Sequence, residues 1–345
     1  MLKISVVLPL YNVEKYIRKC LESIIAQENS GYTIECLIID DASPDNSMTI
    51  VKEIIANYHG FAITFRVIRH EVNKGLSEAR NAGIKASTGD FLFFVDSDDE
   101  LSENTFVRFL DYYQKYPLVD VIIGNSLDFE NGILSESHTN ESGNLPILVD
   151  DKRLIMKKVL KREINRNVWN KLIRRSIVED NNLLFDVGLL YEDVIWTYRL
   201  YSSVSSILII PELTYLYENN PLSIVHTYTE RSNQLVWSFV YISDYLINNP
   251  PVFDGKQVLF SDHLLFVNHW MLKAIDIKEQ FGGTYKICKK MNEVKRKLLW
   301  LTISHCRPVM TLYFLTMFKP FSLLIKLRLF RANIYRISQI VCMLS

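Results

Sequence analysis

Residues Asp96-Ser97-Asp98-Asp99 place three carboxylates within four positions, directly after the apolar run at 91–95. Carboxylates this close repel one another unless a cation or an arginine compensates, and hard oxygen donors of this kind suit Mg²⁺ or Mn²⁺. Three other apolar runs end in polar segments of the same sort. They are Pro9-Leu10-Tyr11-Asn12, Asp40-Asp41-Ala42-Ser43-Pro44-Asp45, and Asn73-Lys74-Gly75 leading into Ala79-Arg80-Asn81-Ala82-Gly83. A carboxylate-rich rim with one tyrosine, one lysine and one arginine suits a nucleotide whose diphosphate a divalent metal neutralises. The plainer reading is that these aspartates only form turns and cap helices, positions where Asp is favoured anyway.

The elements that must position these residues follow from the hydrophobic pattern. Near-continuous apolar runs at 4–10, 34–40, 63–69, 91–95 and 119–124 alternate with helical spacing at 13–27, 47–58, 77–86 and 104–116. Strands buried on both faces and separated by helices predict an α/β fold with a doubly wound, mainly parallel sheet covered by helices on both sides. Ligands bind outside the carboxyl ends of such strands, so the four polar segments are expected to converge on one edge. Residues 129–148 read as a loop or a ragged antiparallel insertion. From 151 the chain turns helical, touches strand character at 206–210, and is mostly helical from 232 onward. No G-x-G-x-x-G follows the first strand and no G-x-x-x-x-G-K-[ST] occurs, which disfavours dinucleotide and P-loop folds.

The series P-L-Y-N, D-D-A-S-P-D, N-K-G-L-S-E-A-R-N-A-G and D-S-D-D resembles the family-2 glycosyltransferases of the GT-A fold, which are inverting enzymes. The resemblance is dense over residues 3–100 and continues more loosely through Trp169-Asn170-Lys171-Leu172 and Glu192-Asp193 to about His226. It implies a GT-A domain over 1–228, with a nucleotide-binding half to 125 and an acceptor and catalytic-base half after it. It also implies transfer of one sugar from a nucleotide diphosphate sugar, UDP in the first instance, to a saccharide acceptor.

Residue by residue, the resemblance puts Pro9 and Tyr11 at the base pocket and Asp41 on the base N–H. Lys74, Gly75, Arg80 and Asn81 would lie along the donor, with Lys74 and Arg80 near the diphosphate or holding the aspartates. Within the D-x-D of Asp96, Ser97 and Asp98, Asp96 faces the ribose and Asp98 the Mn²⁺ or Mg²⁺, with His226 as a further ligand. Glu192 and Asp193 supply the general base, Asp193 first, and Trp169 and Lys171 face the acceptor. One departure stands out: many relatives place an arginine soon after the Tyr-x-Tyr seen here at Tyr215-Leu216-Tyr217, where this chain has Glu218-Asn219-Asn220. Rival readings are a nucleotidyltransferase, or an inactive nucleotide-sugar-binding or membrane scaffold protein.

Composition bounds the rest. The chain has 345 residues, 48% hydrophobic and 23% charged, a folded and core-forming profile. Five scattered cysteines without a C-x-x-C argue against a zinc site or disulfide framework and for a reduced, cytoplasmic setting. Net charge is zero, yet residues 286–345 carry twelve Lys and Arg against Glu293 alone, a net +11 that leaves −11 on residues 1–285. After a helical extension over 229–285, this basic, apolar tail predicts a helix pair lying on the inner face of the cell membrane, where cations and bulky apolar groups act together. Helices that merely cover the core are the alternative; apolar content argues against a nucleic-acid arm. The tail points to a lipid-linked acceptor, as in surface polysaccharide assembly.

Overall fold

The structure is a computed structural model that describes residues 1–130, 133–137, 145–218, 220, 231–253, 256–257 and 259–304. It divides into two compact units, Met1–His226 and Thr227–Ser345.

The first unit opens with β1 (Leu2–Leu10), α1 (Ile17–Ile25), β2 (Tyr32–Asp40), α2 (Ser47–Asn57), β3 (Ile63–Arg69), α3 (Leu76–Ala86) and β4 (Phe91–Phe94). There follow β5 (Glu100–Leu101), α4 (Thr105–Lys115), β6 (Val121–Glu130), β7 (Ile133–Ser137), β8 (Ile147–Val149) and α5 (Lys152–Lys161). The unit ends with β9 (Lys171–Arg174), α6 (Arg175–Asp180), α7 (Asp193–Ser203) and β10 (Ile207–Glu218). The main sheet has the order β3-β2-β1-β4-β9-β6-β10-β5. The first four strands are parallel, and the chain winds outward from β1 before returning on its other side as β4. That reversal between β1 and β4 is the switch point at which open α/β sheets bind ligands.

β1 and β2 are buried along nearly their whole length, as strands covered on both faces must be. α1 buries Ile17, Cys20, Leu21 and Ile24, one stripe at helical spacing. α3 seats closely on β1 because residue 83 is glycine: a Cβ there would stand 2.3 Å from Val7 Cγ1.

The second half of the sheet is mixed. β9 runs antiparallel between β4 and β6, and β5, β7 and β8 also join antiparallel, while β6 and β10 are parallel. The expected parallel character therefore belongs to β3-β2-β1-β4 and the β6–β10 pair. β9 escapes a periodicity reading because it has only four residues and starts directly after Asn170, whose φ of 58° breaks the chain direction. The 129–148 segment contains the two short antiparallel strands β7 and β8, and the strand read at 206–210 extends to Glu218.

The second unit contains α8 (Ser232–Asn248), the short pair β11 (Val252–Phe253) and β12 (Lys256–Gln257), α9 (Phe260–Phe281) and α10 (Tyr285–Ser304). α10 buries Ile287, Met291, Val294 and Leu298. Two of its cations are neutralised within the unit: Lys290 and Lys297 reach Asp244 of α8 at 2.8 and 3.0 Å. Lys286, Lys289, Arg296 and Trp300 are exposed. No described helix is long and apolar enough to cross a membrane. The rest of the basic tail, from residue 305, lies outside the described residues.

Candidate active site

Four strand ends meet at the carboxyl edge. β4 delivers the acidic cluster, and each of its carboxylates is treated differently. Asp99 is buried; its Oδ2 accepts from Tyr215 Oη at 2.7 Å and its Oδ1 from the Glu218 amide at 2.9 Å. Tyr215 Oη in turn accepts from the Asp96 amide at 3.1 Å. Asp98 Oδ2 accepts from Asn220 Nδ2 at 2.9 Å, and Tyr16 Oη donates to Asn220 Oδ1 at 3.3 Å. Burial and the neighbouring Asp96 charge raise the Asp98 pKa, and burial with both neighbouring aspartates raises that of Asp99 further. Ser97 is buried between them. The end of β10 is thus laced to the acidic loop, and Asn220 occupies the region where an arginine is expected.

α3 delivers Arg80, whose side chain is 4% exposed. Its guanidinium donates to Asp96 Oδ1 at 2.7 Å and to Glu192 Oε1 at 2.5 Å, and it lies 5.5 Å from the centre of the Phe185 ring. Burial alone would lower its pKa; the charges of Asp96 and Glu192 outweigh burial and raise it instead. A charged hydrogen bond to each of two carboxylates, out of water, is a strong tie.

The ends of the first three strands deliver the other residues read as donor-side from the sequence. Tyr11 is 45% exposed at the end of β1, whereas Pro9 is buried within that strand. Asp41 is buried and accepts from His70 Nδ1 at 2.7 Å and from the Lys74 and Gly75 amides at 2.8 Å each. It therefore organises the turn that opens α3, where Gly75 has a φ of +87°, and any contact with a base would be a fourth bond to this carboxylate. The Lys74 side chain is exposed and forms no ion pair among the described residues.

α7 starts at Asp193, with Glu192 as its N-cap. Glu192 is buried and bound to Arg80. The Asp193 carboxylate accepts no hydrogen bond among the described residues, and burial and the Glu192 charge push its pKa up to about 7 against the pull of Arg80 and Arg166. Arg166, half-buried, is itself pushed down to about 10 by burial.

Three of the residues read as site residues are held inside the fold. Asn81 holds the Phe185 backbone from both sides, donating to its carbonyl at 3.0 Å and accepting from its amide at 2.7 Å. Trp169 is buried, with its ring stacked at 4.5 Å on Tyr215 and 5.9 Å on Tyr217; it forms wall, not an open platform. Lys171 is buried too, its Nζ donating to the carbonyls of Asn167 and Trp169, and burial pushes it down to about 7. His226 lies outside the described residues. Sequence alone does not give Asn220, Tyr16 and Arg166 a place beside these residues; Asn220 reaches Asp98 and Tyr16 across more than a hundred residues of chain, and Arg166 is linked through the charge at Asp193.

Asp96 and Asp98 fit a hard divalent cation. Each has one oxygen bound by a neighbour, and burial and the neighbouring Asp96 charge disfavour leaving Asp98 charged without compensation. Among the described residues no three His, Cys, Asp or Glu side chains form a ready cage, so donor oxygens and water would complete the shell, as Mg²⁺ commonly requires.

The family model for glycosyl transferase family 2 matches residues 5–181, just over half of the chain. The chain belongs to this family. It is 30% identical over 230 residues to the uncharacterised glycosyltransferase EpsJ of Bacillus subtilis, covering 64% of this chain and 62% of EpsJ. It is 34% identical over 199 residues to YibD of Escherichia coli, covering 56% and 55%. The matched stretch thus spans little more than half the length of these relatives. In fold, the structure is similar to S. aureus TarS residues 1–349 in complex with UDP-GlcNAc, with a TM-score of 0.65, 18% identity, and 89% and 86% of the two chains covered. The family-2 glycosyltransferase has the GT-A architecture expected from its sequence, followed by helices.

Proposed function

We propose that this family-2 glycosyltransferase moves a single sugar, with inversion, from a nucleotide diphosphate sugar to a saccharide acceptor. The carrying observation is the Arg80 bridge: one guanidinium binds Asp96 at 2.7 Å and Glu192 at 2.5 Å. It brings the D-x-D segment beside Asp193, so donor and base belong to one site. Asp193, without a hydrogen bond among the described residues and with a pKa pushed up to about 7, takes the proton of the acceptor hydroxyl as that oxygen attacks the anomeric carbon from the side opposite the departing nucleotide. A base of this pKa suits proton transfer at neutral pH. Exposed Tyr11 stacks on the base, and the exposed Lys74 ammonium faces the diphosphate. Asp96 and Asp98 would hold Mn²⁺ or Mg²⁺, which as a Lewis acid stabilises the charge of the leaving diphosphate.

UDP-sugars are the donors this reading favours, since the TarS structure of like fold was solved with UDP-GlcNAc. Its place is surface polysaccharide synthesis at the inner face of the membrane, with a lipid-linked acceptor; the +11 on residues 286–345 supports that. Incubating the full chain with a panel of nucleotide sugars and following nucleotide release tests the reading: release from a UDP-sugar supports it. Binding without turnover of any donor contradicts it and favours the inactive binding protein.

A further inference from the structure

α5 carries an unusual charge. Residues 152–166 contain seven Lys and Arg (Lys152, Arg153, Lys157, Lys158, Lys161, Arg162, Arg166) against Glu163 alone, within a stretch 1–285 whose net charge is −11. Arg153, Lys157 and Lys161 are exposed and follow one another at i, i+4, i+8, while Ile155, Met156, Val159 and Leu160 are buried on the other side. Like charges at i, i+4 destabilise a helix. Nothing described offsets them: none of the three forms an ion pair or hydrogen bond among the described residues, although Lys158 beside them pairs with Glu163 at 3.0 Å.

The stripe also leads to the reacting end of the site. At one residue per 1.5 Å of helix, successive cations lie about 6 Å apart. Beyond Lys161 come Arg162, which ends the helix with a φ of 64°, and Arg166, whose charge acts on Asp193 while that of Arg162 acts on Arg166. α5 packs on α7, which begins at Asp193. The segment between is pinned by Tyr201 Oη on the Asn165 carbonyl at 3.3 Å and by Lys171 on that of Asn167.

We propose that the Arg153–Lys157–Lys161 stripe, continued by Arg162 and Arg166, is a binding track for phosphate groups of the acceptor. The acceptor is then a phosphate-bearing saccharide, with its charge in phosphodiester links or in a diphosphate anchor, and its nucleophilic hydroxyl is drawn along the track to Asp193. Guanidinium and ammonium groups bind phosphate oxygens through charge-assisted hydrogen bonds, and a row such as Arg153, Lys157 and Lys161 raises local anion concentration. A neutral glycan needs no such row. A membrane leaflet is a poorer fit, because Leu154 is the only large apolar side chain exposed on α5, too little for interfacial insertion.

The inference rests on Asp193 as the base, so its test is direct binding, independent of turnover. The full chain is titrated with a glycerol-phosphate oligomer, a short-chain prenyl diphosphate sugar and a neutral oligosaccharide. Wild type should bind at least one phosphate ligand about tenfold or more tightly than the neutral one, weakening steeply with salt. The triple variant Arg153→Gln/Lys157→Gln/Lys161→Gln should lose that advantage, Lys157→Arg/Lys161→Arg should keep it, and Asp193→Asn should bind as wild type does. Which phosphate ligand is preferred distinguishes a polymer from a lipid anchor. Equal binding of charged and neutral ligands by wild type, or an unchanged advantage in the folded triple variant, overturns the proposal. So does loss of binding to anionic vesicles by the triple variant while its oligomer binding stays intact. If Asp193→Asn transfers sugar normally while the track still binds phosphate, the base assignment fails and the track stands.

Discussion

The two acidic clusters of the site are built on opposite principles. At the end of β4, Asp96, Asp98 and Asp99 are each held by a donor: Arg80, Asn220, and Tyr215 with the Glu218 amide. At the start of α7, Glu192 is held by the same Arg80, but its neighbour Asp193 is left without a hydrogen bond among the described residues. Burial raises the pKa in both clusters, at Asp98 and Asp99 as at Asp193; what differs is the bonding. Bonds from donors fix the direction of a carboxylate, which suits groups that bind, whereas oxygens that accept no such bond stay available, which suits a group that must accept a proton. Arg80 joins the clusters and keeps them from repelling each other.

Asp193→Asn should break the contrast most severely. On the proposed reading it lowers kcat by about 10²- to 10⁴-fold with donor affinity nearly unchanged, because a base is used only in the transition state. Kinetics alongside calorimetric titration with the donor nucleotide separates the two quantities. A loss confined to donor affinity would move Asp193 into the binding cluster.

Asp98→Asn comes next. Removing a charged ligand should cost at least about 10²-fold in turnover, and in the wild type EDTA should abolish activity that Mn²⁺ or Mg²⁺ restores. Full activity in EDTA would remove the metal from the account and leave the acidic loop a purely structural device.

Arg80→Met addresses the bridge itself. Leaving Glu192 buried and unpaired should lower unfolding free energy by about 3 kcal/mol, read from denaturant midpoints at unchanged m-value. Unaltered stability would mean that the clusters tolerate each other without the arginine.

The difference between the clusters also explains what could be read from sequence. The acidic loop is contiguous, and its position after an apolar run places it at a strand end, so Asp96 and Asp98 were legible together. The central parallel strands β1, β2 and β4 were legible for the same reason, since each is built on a near-continuous apolar run; β3, at the sheet edge, carries Arg66 and Arg69 and is largely exposed or half-buried. The partners were not. Arg80 and Glu192 are 112 positions apart, and no local pattern tells whether an arginine on a helix faces solvent or bridges two carboxylates. Asp99 reads in sequence as one more member of the acidic cluster, and only the fold brings Tyr215, 116 residues on, to bind it. Trp169 and Lys171 face the acceptor only by the resemblance; in the fold Lys171 opens the buried strand β9 and Trp169, just before it, stacks on Tyr215. Arg166 carries no signal apart from lying in a basic stretch; its nearness to Asp193 is a fact of the fold alone.

The pH dependence of kcat at saturating donor and acceptor tests the central claim most directly. With Asp193 at about 7, a base that must be deprotonated should give a plateau above about pH 8 and lose about tenfold per unit below 7, and the limb should vanish in the residual activity of Asp193→Asn. A limb in the ordinary carboxylate range near 4, or one that persists unchanged in Asp193→Asn, would contradict the assignment of Asp193 as the general base.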